Sequence, residues 1–258
     1  MSDILKWYYA LSFPLEWEDA VVAAAQHFDP AAERKTAMDN LLYLLSRCDN
    51  TADIYAQKGI GEDILRYTLS DLVTWAKNHH LCTGEMGISE MDWASSHVNA
   101  EIFRLGRLQF RFGKTIMASK RLGFEKGADI IEIHVPQGEP LDIAECVQSC
   151  RRAVEFFATY YPEYRYSYFT CESWLLDFQL KEFVRADSNI LKFQQMFDVI
   201  GYYDSPQALR YLFDINPDKQ NMSGIQKKIR AHLDGGGKLF EGYGVINKET
   251  FMEREAGK

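Results

Sequence analysis

Between Asp129 and Ser173 the chain has the pattern of two β-strands separated by one long helix. The segment Asp129–Val135, DIIEIHV, is rich in β-branched residues and is bounded by a glycine and a proline. Leu141–Tyr161 then has apolar side chains at helical spacing, and Tyr164–Ser173, YRYSYFTCES, is predicted to be a second strand. This order predicts a βαβ unit, in which the two strands are parallel neighbours joined by a right-handed crossover.

The first third of the chain is predicted to be helical. Three segments there have apolar side chains at helical spacing: Leu15–His27, Ala31–Cys48 and Gly59–His79. Turn and capping residues, Asp29-Pro30 and Asp49-Asn50-Thr51, separate these segments. No linker rich in Gly, Ser or Pro follows. We therefore expect residues 1–82 to form a helical N-terminal domain that packs against a second domain, residues 83–258.

The pattern of the second domain is mixed. Arg104–Phe112 alternates and predicts a strand, with Arg107, Gln109 and Arg111 on one of its sides. Further segments are predicted as a helix at 91–102, helices near 174–184, 189–197 and 222–233, and a strand at 239–246, while 205–213 fits either type. The chain is therefore predicted to be an α+β protein with a mixed sheet and flanking helices.

Charge, targeting signals and cysteine content argue against several classes of protein. The net charge of −8 and the pI of about 5.3 argue against a nucleic-acid partner. The N-terminus lacks a signal-peptide pattern, and no apolar run approaches the roughly 20 residues of a membrane span, so a cytoplasmic location is expected. The five cysteines include no CxxC pair, and the histidines have no ligand-spaced partners. Neither a disulfide framework nor a metal site is therefore predicted.

The segment His134–Leu141, HVPQGEPL, joins the first strand of the βαβ unit to its helix. The N-terminal end of a helix carries about half a positive charge and binds phosphate groups readily. Gly138 permits a positive φ, and Pro140 suits a position at the start of a helix. Two interpretations are open: an anion-binding loop, or a plain turn with Asp142 as the helix cap. Neither a GxGxxG nor a GxxxxGK[ST] motif is present, which argues against a dinucleotide-binding loop or a P-loop.

Strand parity predicts a polar face on the sheet. Glu132 and His134 share one side of their strand, and Tyr168 and Glu172 share one side of the next. If these sides coincide, carboxylate, imidazole and phenol groups form a wall that suits a small polar molecule. Glu132 or His134 is then the candidate general base, and Tyr168 the candidate acid, for transfer of a group to an amine. The alternative is a face whose charges only pair with one another.

A nucleophilic cysteine is a further hypothesis. Cys171 with His134 as its base would indicate a hydrolase or a transferase. Parity places Cys171 on the side opposite Tyr168, however, and no local signature surrounds it.

Three ordered blocks of the chain resemble a small family of bacterial acyltransferases. The blocks are Phe103–Phe110, FRLGRLQF; His134–Leu141, HVPQGEPL; and Cys171–Leu176, CESWLL, with Ser188-Asn189-Ile190 a little later. Together with the helical first third, the similarity covers most of residues 1–215. The family pairs a helical N-terminal N-acyltransferase domain with a GNAT-like C-terminal domain. The resemblance implies an acyl-CoA-dependent N-acyltransferase acting on a small amine or amino-sugar-like acceptor.

The resemblance also implies where acetyl-CoA or another acyl-CoA would bind. In a GNAT fold, a loop with the pattern Gln/Arg-x-x-Gly-x-Gly/Ala holds the coenzyme pyrophosphate on backbone amides. The equivalent residues here are Pro136, Gln137, Gly138, Glu139 and Leu141. Only one glycine is present, and Pro140 removes a donor, which favours the alternative of a GNAT-like ligand-binding or regulatory module without catalysis. Strands that splay apart at 129–135 and 165–173 would favour acyl-CoA, and an unbroken ladder would argue against it.

Overall fold

The computed structural model describes residues 3–215 and 221–256. The chain divides into two compact units, Met1–Arg104 and Leu105–Lys258. In the described part of the chain, no helix has both the length and the apolar character needed to cross a membrane.

The first unit is a set of helices. They are α1 (Asp3–Ala10), α2 (Glu18–Ala25), α3 (Ala37–Lys58), α4 (Glu62–Leu69), α5 (Asp71–Thr83) and α6 (Met91–Val98), followed by strand β1 (Ile102–Arg104). A short 3₁₀ turn, Leu15–Trp17, precedes α2. The boundary expected between residues 82 and 83 lies inside this unit, because α6 packs on α3 and α5.

Helix α3 continues through Asp49-Asn50-Thr51, which the sequence had indicated as a turn. The polar side chains there find partners on other helices instead of capping a new one. The Asp49 carboxylate accepts a hydrogen bond from the indole of Trp7 at 2.8 Å, and the Thr51 hydroxyl donates to the carbonyl of Val98 at 2.6 Å. Because tertiary contacts satisfy these groups, the local turn signal is overridden and that prediction is wrong.

The second unit is built around a mixed sheet. Its elements are β2 (Gln109–Lys114), β3 (Asp129–His134), α7 (Ile143–Tyr160), β4 (Tyr168–Ser173), α8 (Leu180–Phe183), α9 (Asn189–Gln194), β5 (Asp198–Asp204), α10 (Gln207–Leu209), α11 (Gly224–Asp234), β6 (Phe240–Asn247) and α12 (Lys248–Ala256). The strand order is β2-β3-β4-β6-β5, with β3 and β4 parallel and the other pairs antiparallel. The predicted α+β class, with its mixed sheet and the βαβ unit from β3 to β4, is confirmed.

The strand predicted over Arg104–Phe112 is interrupted. Residues 105–108 form a turn, closed by the bond from the Leu105 amide to the Leu108 carbonyl at 3.0 Å. Gly106 has φ +99°, which a residue with a side chain rarely adopts. The prediction of one continuous strand is therefore wrong, and Arg107 lies in the turn before β2 instead of on the sheet face.

One face of the sheet is apolar and is covered by α7. On this face the ring of Phe112 lies 5.3 Å from that of Phe157 in α7, and the rings of Phe110 and Phe169 are 5.9 Å apart across β3. Burial of each large side chain of this kind contributes about 1.5–3 kcal/mol. The opposite face is left for the polar side chains of the same strands.

A buried histidine–aspartate pair lies within the first unit. Nε2 of His97 is 3.1 Å from Oδ2 of Asp71, and both side chains are almost fully buried. The Trp75 indole donates to the same oxygen at 2.9 Å. Nδ1 of His97 lies 3.2 Å from the Trp93 carbonyl, so both ring nitrogens lie beside oxygen atoms. Burial alone would raise the pKa of Asp71, but the hydrogen bond and charge of His97 outweigh it and lower that pKa.

We predict that Asp71→Asn destabilises the protein by about 3–5 kcal/mol, since it breaks a buried pair by changing one partner. Because the folded pKa of Asp71 lies below its ordinary 3.8, the pair stabilises above that pH and is lost in stronger acid. Urea unfolding at pH 7 and pH 3 measures both effects. The control Glu62→Gln breaks only the exposed pair with Arg66 and should change stability by less than about 1 kcal/mol. Equal effects of the two variants would contradict the prediction.

Candidate functional site

The loop between β3 and α7 runs over the surface with its glycine open to solvent. Gly138 has φ +92°, and an added Cβ would meet no atom within 4 Å. Oδ1 of Asp142 caps α7 by accepting a hydrogen bond from the Glu145 amide at 3.1 Å. Gly138, Glu139 and Pro140 are exposed, while Pro136 is buried. The outer side of this loop therefore has room for a ligand to approach the backbone.

The inner side of the loop is held by Arg107. Its guanidinium donates to three backbone carbonyls: Nε to Pro140 at 2.7 Å, Nη1 to Pro136 at 3.0 Å and Nη2 to Glu139 at 2.9 Å. Arg107 is only 6% exposed. Sequence reasoning placed this arginine on the sheet face and missed this role. The signal that could have indicated it is the glycine before it, which allows the turn out of the strand.

On the polar face of the sheet, Glu132 lies between two basic side chains. Arg111 faces it directly across β2 and β3, and its Nη2 and Nε lie 2.6 Å and 2.8 Å from Oε2 of Glu132. Nε2 of His134 is 3.4 Å from the same oxygen. Burial would raise the pKa of Glu132, but the hydrogen bond from His134 and the charge of Arg111 lower it. Glu132 is thus held as a carboxylate that orients its neighbours.

The structure does not bring Tyr168 to this group. Glu132 is paired in register with Thr170 of β4, so the polar sides of β3 and β4 do coincide. The same register sets Tyr168 beside Ile130, roughly 13 Å along the strand direction from His134. The Tyr168 hydroxyl donates to the carbonyl of Leu122, in the segment 115–128 that covers this part of the face.

The parallel ladder between β3 and β4 is short. It consists of Ile131↔Phe169 and Glu132↔Thr170. It ends there, although both strands continue in the described chain, to His134 and Ser173. The regular pairing therefore ends before the C-terminal residues of both strands, beside His134 and the entrance to the loop.

A second group of polar side chains lies where β4, β5 and β6 adjoin, and most of it was missed by sequence reasoning. The Tyr203 hydroxyl donates to the carboxylate of Glu172 and lies 3.2 Å from Oε2 of Glu241. Ser205 donates to Glu241 as well. Burial and the two carboxylates raise the pKa of Tyr203, so its proton is retained. Only Glu172 was predicted to lie on this face, because the strand containing Tyr203 was not assigned from its pattern.

Cys171 does not support a nucleophilic role. It is 1% exposed, and burial raises the pKa of its thiol. It lies on the face covered by α7, opposite to Glu132 and His134. The hypothesis of a Cys171 nucleophile is therefore wrong. Among the described residues, no group of His, Cys, Asp and Glu side chains has the arrangement of a metal site.

Comparison with protein families identifies both halves of the chain. An N-acyltransferase N-terminal domain matches residues 11–100, and a GNAT-like C-terminal domain matches residues 102–246. The chain belongs to this family of GNAT-like acyltransferases. The resemblance that the sequence motifs indicated is confirmed. A search of curated proteins found no match.

Solved structures of acyltransferases have the same fold as this GNAT-like protein. One, in complex with decanoyl-CoA and teicoplanin, superposes with a TM-score of 0.78 at 22% identity, covering 94% of this chain and 86% of the other. Another, with decanoyl-CoA, gives 0.78 at 24% identity over the same shares. A variant with octanoyl-CoA gives 0.78 at 20% identity, covering 96% of this chain and 88% of the other.

We predict that Arg111→Gln raises the pKa of Glu132. Burial raises this pKa, and less positive charge then remains to lower it. A ¹³C NMR titration of the glutamate carboxyls measures this shift. The matched control is Lys114→Gln, which removes the exposed pair with Asp129 on the same two strands and should leave Glu132 unchanged. An unaltered titration of Glu132 in Arg111→Gln would show that Arg111 does not hold the carboxylate.

Proposed function

We propose that this protein transfers an acyl group from acyl-CoA to the amine of a small molecule. The observation that carries the proposal is the short ladder between β3 and β4. Because the regular pairing of these parallel strands ends before His134, we expect room for a ligand beside the loop and the start of α7, which is where α/β folds bind ligands. The acyl-CoA complexes of proteins with this fold support the same proposal.

The coenzyme pyrophosphate is proposed to lie on the loop Pro136–Leu141, at the N-terminal end of α7. The open space around Gly138 fits a group that approaches the backbone closely. When bound there, acyl-CoA would supply a thioester, which is an activated carbonyl for attack by an amine. The backbone amides of Gln137, Gly138, Glu139 and Leu141 are the proposed donors, and Pro136 shapes the turn.

The proposed general base is His134, with Glu132 as its orienting carboxylate. Glu132 is held ionised by Arg111 and His134, which makes it a weak base and a good orienter of the imidazole. His134 keeps 27% of its side chain exposed and lies beyond the regular pairing of β3 with β4. It would accept the proton that the acceptor ammonium loses. Tyr168 stays the proposed acid for the leaving thiolate, but its hydroxyl donates to the carbonyl of Leu122 and it lies roughly 13 Å along the strand direction from His134, so it would have to move to act there.

The acceptor is proposed to be an amine because the same sheet face holds two adjacent carboxylates. Glu172 and Glu241 share the hydroxyl of Tyr203, and an ammonium group would reduce the repulsion between them. Two of the related structures contain teicoplanin or 10C-teicoplanin, whereas the acceptor proposed here is a small, amino-sugar-like amine.

A second candidate function is a GNAT-like module that binds a ligand without catalysis. It is favoured by the loop itself, where Pro140 supplies no amide donor and the Asp142 carboxylate already caps α7. The two functions differ in whether coenzyme A binds.

We predict that coenzyme A binds the wild-type protein and raises its melting temperature by mass action. Gly138→Val should weaken binding at least about tenfold, because a branched side chain strains φ +92° and occupies the approach to the amides. Isothermal titration with coenzyme A measures the affinity. The control Gly236→Val introduces the same strain at φ +84° in equally open surroundings. If the wild-type protein does not respond to millimolar coenzyme A, the acyl-CoA mechanism is wrong and the binding module is favoured.

We predict that His134→Gln lowers kcat by about 10²–10⁴-fold while leaving the affinity for coenzyme A unchanged. The assay follows thiol release from octanoyl-CoA with D-glucosamine as the amine probe, and Tyr168→Phe is compared in the same way. The control His232→Gln alters a partly exposed histidine of α11 and should retain wild-type rates. A kcat for His134→Gln within about threefold of wild type would exclude His134 as the base.

A further inference from the structure

We propose that Arg107 is a positioning residue that fixes the loop 136–140 so that its amide side faces the anionic ligand. This inference rests on the proposed function, because it assigns Arg107 a task in binding the coenzyme pyrophosphate. Its geometric basis is independent of any ligand: one buried guanidinium joined to three loop carbonyls within 2.7–3.0 Å.

Because the peptide group is planar, a contact to a carbonyl also fixes the direction of the N–H that follows it. In a trans peptide the C=O and the following N–H point in opposite directions, and the described peptide bonds are all trans. The Pro136 carbonyl points to Arg107, so the N–H of Gln137 points away from it. The Pro140 carbonyl does the same for the N–H of Leu141. Binding the Pro136 and Pro140 carbonyls on the inner side thus directs two amide donors to the outer side, whereas the Glu139 carbonyl precedes Pro140, which has no N–H.

Arginine is required for this contact by shape as well as by charge. Nε, Nη1 and Nη2 each donate to a different carbonyl, which the planar fork of a guanidinium allows and a lysine ammonium cannot reproduce. The turn that carries Arg107 is fixed in its own right. Gly106 has φ +99°, and a Cβ there would meet Nη1 of Arg152 at 2.5 Å and Oγ of Ser149 at 2.9 Å. The Leu108 amide donates to Ser149 of α7 at 3.3 Å, so turn, loop and helix are tied together.

The first test is hydrogen–deuterium exchange of the whole chain without ligand. Arg107→Lys should speed exchange of the Asp142 amide, which donates to the Pro140 carbonyl at 3.0 Å, and leave the rest of the sheet protected. The control Arg104→Lys makes the same change at an arginine that is also 6% exposed, in the first unit, where its guanidinium lies 3.9 Å from the ring of Tyr67. It should not alter exchange of the Asp142 amide. Unchanged exchange of that amide in Arg107→Lys would overturn the inference, and protection elsewhere confirms that the variant folds.

The second test separates the pyrophosphate from the thioester. Arg107→Lys should weaken coenzyme A in isothermal titration, and lower kcat/KM for octanoyl-CoA, on the order of tenfold or more. The kcat/KM for octanoyl-pantetheine, which lacks the pyrophosphate, should change less than about twofold. Equal losses for both donors, or an unchanged Kd for coenzyme A, would overturn the positioning role. Failure of the wild-type protein to bind coenzyme A would instead refute the proposed function, and the exchange result alone would then decide whether Arg107 holds the loop.

Discussion

The second unit depends on the packing of α7 against the apolar face of the sheet. Phe112 and Phe110 on β2, and Phe169 on β4, point to the side that α7 covers with Phe157. Because side chains alternate along a strand, burial of this set fixes which residues of β3 face the other way. It also fixes where α7 begins, and so where the loop from β3 must lie. The position of the candidate site is thus a consequence of hydrophobic packing on the opposite side of the sheet.

The polar face follows from the same constraint. Glu132 is part-buried, and a carboxylate there requires compensation, which Arg111 supplies from the facing position of β2. Because Arg111 compensates its charge, Glu132 stays a carboxylate and can orient His134 without competing with it for a proton. On β4 and β6, Glu172 and Glu241 instead contact the hydroxyl groups of Tyr203 and Ser205. The two ends of the face therefore differ: Glu132 is compensated by an arginine, whereas Glu172 and Glu241 contact hydroxyl groups.

Much of the fold could be predicted because strong periodic patterns are local. The alternation in β3 and the helical spacing of α7 predicted the βαβ unit. The structure also places Glu132 and His134 on the same side of β3, as predicted. The turn at Gly106 could not be predicted from alternation alone, since its reason is a contact with Ser149 and Arg152 far along the chain. The assignment of Arg107 to the sheet face was wrong for that reason. Tyr168 illustrates a different limit: its side of the strand was correctly deduced, but its distance from His134 depends on register, which a single sequence does not contain.

The loop departs from the two-glycine GNAT pattern, and Arg107 accounts for how it can still expose its amides. Glycines let a loop turn its N–H groups toward an anion because they tolerate positive φ, but they leave the backbone flexible and increase the entropy lost when a ligand orders it. Here one glycine supplies the positive φ, and three bonds from a buried guanidinium fix the remaining peptides. The charge of Arg107 is tolerated inside the protein because carbonyl oxygens surround it, and its field adds to that of the α7 N-terminus on the loop. We therefore propose that a loop with fewer glycines and an arginine behind it is a more rigid form of the same kind of anion site.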